Sequence, residues 1–412
     1  MRYKRLIYLV LLAALTVRIV YALTLGEDIY WEDEFDYKAL GQSLAEGRGY
    51  VAADGEPTAF RPVGYPLLLA ALNLFGVRSV PAIRMAQALL GVVAVWLVCL
   101  LAGLLTTRPF AVLAASIAAF YPYFIFMGGT LFASTWFVVT FLPAVYLFMQ
   151  GERRARNGFF VMSGLLMGLS TLSVTTAALT APASLFWLLI KKEWSIRRVL
   201  RPAAVFTAAF FIVVSPWMVR NQRALGTASL STNGGRNLWL GNNPAATVNS
   251  GSDIDMPPAL QARIDAADEA EADRIYKEEA LAFIRSRPQR FVTLLLLKGA
   301  ALWRFDPSPT TDGYKVDQGR NRWLSVLSYV PVLLLAIIGF WRADRLQKKE
   351  LLLWLLYFAV FTAVHAVYIS NVRFRLPLDQ FLIIMAALSV QKLFKNSTVF
   401  SKLQVHKKSI EL

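Results

Sequence analysis

The chain is poor in the residues from which many catalytic centres are built. It has one cysteine and two histidines in 412 residues. Cys99 alone can form neither an intramolecular disulfide nor a thiolate metal site. With only His365 and His406 available, a zinc centre would have to be assembled mostly from carboxylates, against the metal's preference for nitrogen and sulfur. Charge is scarce too: 17% of residues are charged, where a soluble domain carries roughly a quarter. Acidic residues are the scarcer sign, 27 against 43 basic, for a net charge of +16. There is no internal repeat and no low-complexity tract.

What is abundant is apolar sequence. Hydrophobic residues make up 56% of the chain, and apolar runs recur at bilayer-spanning lengths of about 20 residues. The expected class is therefore an all-α polytopic membrane protein. Ten spans are predicted, at 6–25, 82–105, 110–127, 131–149, 159–170, 176–190, 203–219, 323–340, 351–369 and 376–394. The fifth and sixth are short and carry basic residues at both outer ends, which predicts a tight hairpin turning near Ser173-Val174-Thr175. The first run is full length, so it reads as a retained span and not as a cleavable signal.

Orientation follows from Lys and Arg. Arg2/Lys4/Arg5, the 153–156 cluster, the 191–201 run, Arg342/Arg345/Lys348/Lys349 and the lysine-rich tail fall on one side, predicted cytoplasmic together with both termini. Basic residues there suit anionic lipid headgroups, so the positive charge implies membrane lipids as partners and needs no nucleic acid. Residues 1–395 read as a single transmembrane domain and 396–412 as a cytoplasmic tail. The opposite side carries outer loops at 26–80 and 220–322. Parity makes 291–305 (FVTLLLLKGAALWRF) an interfacial helix, since a crossing there would turn Arg342–Lys349 outward, and 64–76 reads the same way.

The acid is concentrated in one place. Trp31-Glu32-Asp33-Glu34-Phe35-Asp36-Tyr37 lies just past the first span, ahead of a helix expected over Asp36–Glu46. By itself this is a solvated loop or the chemical centre of a membrane enzyme. Arginines are predicted on the same face: Arg61 in Phe60-Arg61-Pro62-Val63-Gly64-Tyr65-Pro66, and Arg373-Phe374-Arg375-Leu376-Pro377 near His365 and Tyr368. A carboxylate can take a proton from an acceptor hydroxyl or amine, and guanidinium groups can hold a phosphate that leaves. The bland readings are an exposed acidic loop, arginines that anchor a span boundary, and a packed His365.

Asp33-Glu34-x-x-Tyr37 resembles the Asp-Glu signature of GT-C glycosyltransferases, in the branch of protein O-mannosyltransferases and the aminoarabinose transferase of lipid A. Arg61-Pro62-x-Gly64-Tyr65-Pro66, Ser215-Pro216-Trp217-x-x-Arg220-Asn221, the Asn233-Gly234-Gly235 and Gly241-Asn242-Asn243-Pro244 turns and Arg373-Phe374-Arg375-x-Pro377 are similar to stretches of that branch, in the same order. The resemblance implies a GT-C-like bundle. It also implies an inverting glycosyltransferase that moves a sugar from a polyprenyl-phosphate carrier to a lipid, glycan or protein acceptor outside the cytosol, in a bacterial inner membrane. Asp33 would be the general base, with Glu34 supporting the first-loop geometry. Arg61, Tyr37, Lys298, His365, Arg373 and Arg375 are the candidates for substrate and phosphate. No cofactor is required, although Asp33, Glu34 and Asp36 offer oxygen ligands to a divalent cation. The chain departs from the branch at Ser134 and Val174, where relatives often carry a Glu and an Arg. Loss of both avoids an unpaired buried charge and leaves open a catalytically inactive protein that binds or transports a lipid-linked sugar.

Overall fold

A computed structural model describes residues 2–191, 196–250, 254–305 and 318–395. His406, the 396–412 tail and part of the 191–201 basic run lie outside the described residues. The described residues are 78% helical. Its helices are α1 (Arg2–Leu25), α2 (Glu32–Ala45), α3 (Gly64–Leu74), α4 (Val80–Ala102), α5 (Arg108–Phe120), α6 (Pro122–Gly128), α7 (Ser134–Arg154), α8 (Asn157–Thr171) and α9 (Thr180–Ile190). They continue with α10 (Ile196–Leu225), α11 (Gly234–Gly241), α12 (Pro258–Asp265), α13 (Glu269–Ser286), α14 (Pro288–Leu302), α15 (Gln318–Arg342), α16 (Arg345–Val367) and α17 (Leu376–Lys395). Two 3₁₀ turns, Thr175–Leu179 and Val372–Arg375, precede α9 and α17.

Among the described residues, seven helices are long and apolar enough to cross a membrane, and the pair α5–α6 makes an eighth if it is one bent span. The remaining two predicted spans are the short α8 and the 3₁₀ turn with α9, which form the expected hairpin. The span predicted at 110–127 is broken by 55° between Phe120 and Pro122. Proline has no N–H for the carbonyl four residues back, so Ala118 O loses its helical partner. Arg18, buried in α1, supplies the replacement: its guanidinium donates to Ala118 O at 3.3 Å and Ala119 O at 2.9 Å. Gly91 on α4 makes room for it, since a Cβ there would run into the Arg18 side chain.

The core of the bundle is aromatic. Phe137 and Phe141 of α7, Tyr357 and Phe361 of α16 and Phe381 of α17 are all essentially inaccessible, with neighbouring ring centroids 5.1–6.4 Å apart. Such contacts add to the area term by about 0.5–1.5 kcal/mol per pair.

The basic end of the bundle is tied by ions. Lys191 Nζ lies 2.6 Å from Glu152 and 3.3 Å from Glu350, and Arg153 Nε lies 3.2 Å from Glu350. Thr107 N donates to Gln391 Oε1 and Gln347 Nε2 to Leu105 O. The ends of α4, α7, α9, α16 and α17 therefore meet, as the charge pattern predicts. The other ends of these helices face the acidic cluster.

Candidate active site

The acidic cluster is not a loop. Helix α2 starts at Glu32, four residues earlier than expected, because carboxylates favour the positive end of a helix and Glu34 caps it. The Glu34 Oε2 accepts from the N–H groups of Tyr30 at 2.8 Å and Trp31 at 3.3 Å, and its Oε1 accepts from Leu131 N at 2.6 Å. It is wholly buried and binds the start of the α7 region to α2. Burial pushes its carboxyl up despite those donors. Glu34 thus acts as a clamp, with both oxygens held by backbone N–H groups, and does not line the cavity described below.

Asp33, Asp36 and Tyr37 share the opposite face, as spacings of three and four residues require. Arg61 Nη2 lies 2.6 Å from Asp33 Oδ1 and 2.8 Å from Asp36 Oδ2, and Arg61 Nε lies 3.0 Å from Asp36 Oδ2. Arg373 Nη1 reaches the other Asp33 oxygen, Oδ2, at 3.1 Å. Its guanidinium sits against the rings of Phe132 and Phe374 at 5.1 and 5.2 Å. Three sequence-distant candidates therefore meet at one point. Asp36, one helical turn from Asp33, anchors Arg61.

The loops that carry these residues are held from several sides. Gly64 N donates to Leu172 O at 2.6 Å, and any Cβ on Gly64 would collide with the Leu172 backbone. Glycine there lets the Arg61 segment dock on the α8–α9 turn. Glu269 of α13 accepts from Ala59 N at 2.7 Å, from Thr58 and from Thr232, joining both outer loops. Arg220, from the stretch at the end of α10, donates to Thr58 O and Tyr50 O at 2.6 Å.

Asp33, Tyr37, Arg61 and Arg373 line a cavity of about 380 Å³, together with His365 and Tyr368. Its far wall is the α8–α9 turn (Ser173, Val174, Thr175, Thr176), with Ser134 at the start of α7 and Asn233 and Asn237 around α11. The two positions that depart from the resembled branch, Ser134 and Val174, thus face this space. The hydroxyls and amides of this wall were missed by sequence reasoning, which looks for charge. Ser-Val-Thr in a hairpin turn and Asn-Gly-Gly in a loop were the available signals.

Two candidates lie elsewhere. Lys298 is 1% exposed, and its ammonium donates to the carbonyls of Gly241, Val367 and Tyr368 at 2.7–3.0 Å. All three of its protons are committed, so it caps the end of α16 and offers nothing to a phosphate. Arg375 is also 1% exposed. It pairs with Asp379 at 2.8 Å, donates to Leu302 O and Arg304 O, and lies 3.6 Å above the Tyr329 ring. The 3₁₀ turn sends Arg373 toward the cavity and Arg375 into the bundle. His365 lines the cavity with its ring stacked on Phe374 at 4.2 Å, and Nδ1 lies 3.2 Å from Ile369 O. A proton on Nδ1 leaves Nε2 as an acceptor, buried and unpartnered among the described residues. The carboxylates named as cation ligands do not converge: Asp33 and Asp36 share Arg61, and Glu34 points away.

Electrostatics at Asp33 is a contest. Burial pushes its carboxyl up, while Arg373 and Arg61 pull it down by charge and hydrogen bonds; the arginines win and hold it below the usual 3.8. Burial alone would lower Arg61, but Asp33, Tyr37 and Asp36 raise it above its ordinary value. Both groups are ionised at neutral pH.

A half-buried carboxylate and two guanidiniums thus meet at one end of a helical bundle that has at least seven helices long and apolar enough to cross a membrane. The family of dolichyl-phosphate-mannose-protein mannosyltransferases matches at residues 59–219. No curated protein matches in sequence. The chain shares its fold with an archaeal oligosaccharyltransferase from Archaeoglobus fulgidus, solved with an inhibitory peptide and a dolichol-phosphate. Identity is 15% and the TM-score 0.59, over 98% of this chain and 52% of that one. This chain thus spans about half the length of that enzyme. ArnT from Cupriavidus metallidurans, bound to undecaprenyl phosphate, aligns at 14% identity and a TM-score of 0.45, over 94% of this chain and 77% of that one. The fold is that of the GT-C membrane glycosyltransferases.

Proposed function

We infer that the protein is an inverting glycosyltransferase that takes one sugar from a polyprenyl-phosphate carrier on the non-cytoplasmic face of a bacterial inner membrane. The observation that carries this reading is the meeting of Asp33, Arg61 and Arg373 at one cavity, at the bundle end opposite the Lys191 ion cluster. A volume of about 380 Å³ falls low in the roughly 300–1,000 Å³ range of small-molecule sites, which suits a sugar ring and a phosphate. The matched mannosyltransferase family and the dolichol-phosphate bound by the archaeal enzyme support a lipid-linked donor.

In this reading Asp33 removes the proton from an acceptor hydroxyl or amine. The acceptor attacks the anomeric carbon, and the lipid phosphate departs toward Arg373 and Arg61. Tyr37 and His365 border the sugar. The test is purified protein with a labelled polyprenyl-phosphate sugar and a membrane extract: labelled product and free lipid phosphate should both appear. Undiminished transfer by Asp33→Asn would remove Asp33 from the base role.

One observation favours a second reading, a protein that binds the lipid-linked sugar without transferring it. The cavity wall carries Ser134 and Val174, neither of which can hold charge. Binding of donors without release of lipid phosphate from any of them would select that reading.

A further inference from the structure

The geometry points to a base that is stored and then released by the donor itself: the phosphate of an incoming polyprenyl-phosphate sugar takes Arg373 away from Asp33 Oδ2, while Arg61 stays on Asp36. This rests on the functional reading above. The problem it answers is on the page. A carboxylate that accepts from two guanidiniums has both oxygens occupied and is a weak proton acceptor. Without donor, Asp33 is such a carboxylate.

The two guanidiniums are not equivalent. Arg61 makes three polar contacts to two carboxylates, at 2.6, 2.8 and 3.0 Å. It sits on a segment pinned by Gly64 and Glu269. Arg373 reaches Asp33 through one nitrogen at 3.1 Å and is otherwise flanked by the Phe132 and Phe374 rings, which let a planar cation slide without breaking hydrogen bonds. Its side chain is also the most exposed of the three, 27% against 23% for Asp33 and 16% for Arg61. The other ionisable groups facing Asp33 are Tyr37 and Asp36 on α2 and His365 on α16.

The donor's phosphodiester is a stronger partner for Arg373 than one carboxylate oxygen, because its two free oxygens can take two guanidinium N–H groups side by side. Once Arg373 turns to it, Asp33 keeps Arg61 on Oδ1 and exposes Oδ2. The acceptor proton passes to Oδ2, the acceptor atom bonds to the anomeric carbon, and the electron pair of the breaking carbon–oxygen bond goes to the phosphate. Asp33 loses its negative charge as the phosphate gains one, beside the same arginine. An empty site thus holds no competent base.

The test is the affinity of detergent-solubilised protein for farnesyl phosphate, with farnesol and inorganic phosphate as controls. Asp33→Asn frees Arg373 in advance and is expected to bind farnesyl phosphate about fivefold tighter, the scale of one partly exposed ion pair. Arg373→Gln should weaken binding, and in that background Asp33→Asn should bring little or no gain. An unchanged or weaker affinity in Asp33→Asn overturns the proposal, and so does a full gain that persists without Arg373, since that is mere repulsion. A wild type that ignores farnesyl phosphate but binds inorganic phosphate, or binds neither, overturns the lipid-phosphate reading instead. Should Asp33→Asn fail to accumulate as folded protein, Asp33→Ala carries the same expectation.

Discussion

The two ends of the bundle each hold a cluster of four opposite charges, and the clusters are built for different ends. At the basic end, Lys191 and Arg153 face Glu152 and Glu350, and Lys191 and Glu152 are 7% and 5% exposed. At the cavity, Arg61 and Arg373 face Asp33 and Asp36, with Asp33 at 23% and Asp36 at 47%. The first cluster is closed around Lys191, Glu152 and Glu350, with only Arg153 at its rim, and joins three helices. The second is open on one side, and its least attached member lines the cavity. Charges sealed from water stabilise a structure only while every partner is present; charges left half-wet can exchange partners at small cost.

The largest effect expected from breaking this comparison is on chemistry. Asp33→Asn should lower transfer by about 10²–10⁴-fold, the usual contribution of a positioned base, with little change in thermal stability in detergent. Equal losses of fold and activity would mean that the open cluster is a structural tie like the other. Next comes Lys191→Met, which takes the buried ammonium from Glu152 and leaves Glu350 to Arg153, and should destabilise the fold by about 3 kcal/mol, read as a lowered unfolding midpoint. Transfer per folded molecule should be unchanged. Smaller again is Val174→Arg, which adds a cation to the cavity wall. It should tighten farnesyl phosphate binding at low salt and lose that gain as salt screens it. The smallest is a pH effect. Asp33 is held below 3.8, so the stability it contributes is complete above that value and is lost as pH falls through its folded value. Asp33→Asn should flatten that acid limb of the unfolding midpoint, whereas a limb identical to wild type would place the responsible carboxylate elsewhere.

Much of the fold was legible because lipid imposes a simple code, apolar runs of one length with basic ends on one side. The hairpin of α8 and α9 followed from that code, as did the meeting of Arg153 and Lys191. The break at Pro122 did not, because a proline inside an apolar run reads equally as a kinked span. At the site, order along the chain suggested which residues converge, and Asp33, Arg61 and Arg373 do so. Lys298 and Arg375 were misread for one reason: a sequence shows that a charge is deep but not what awaits it. For Arg375 a hint existed, since Asp379 stands four residues on, the spacing of a helical ion pair. For Lys298 the partners are carbonyls of α11 and the end of α16, which leave no trace in side-chain chemistry. Asp36 was underrated although it stands one helical turn from Asp33.

Arg18 has a consequence for how the protein is made. An arginine near the middle of a membrane helix opposes insertion by about 2.5–3.5 kcal/mol, and its carbonyl partners at 118 and 119 are synthesised a hundred residues later. Until they emerge, the first helix has to carry a cation whose guanidinium has only the Ala14 carbonyl of its own helix among these three partners. Chains truncated before residue 118 are therefore expected to hold α1 less firmly in the bilayer, as alkaline extraction of nascent chains would register, and Arg18→Leu should remove the difference. A bend in one helix and a charge in another thus mature together, and the N-terminal segment becomes a stable span only when α5 arrives.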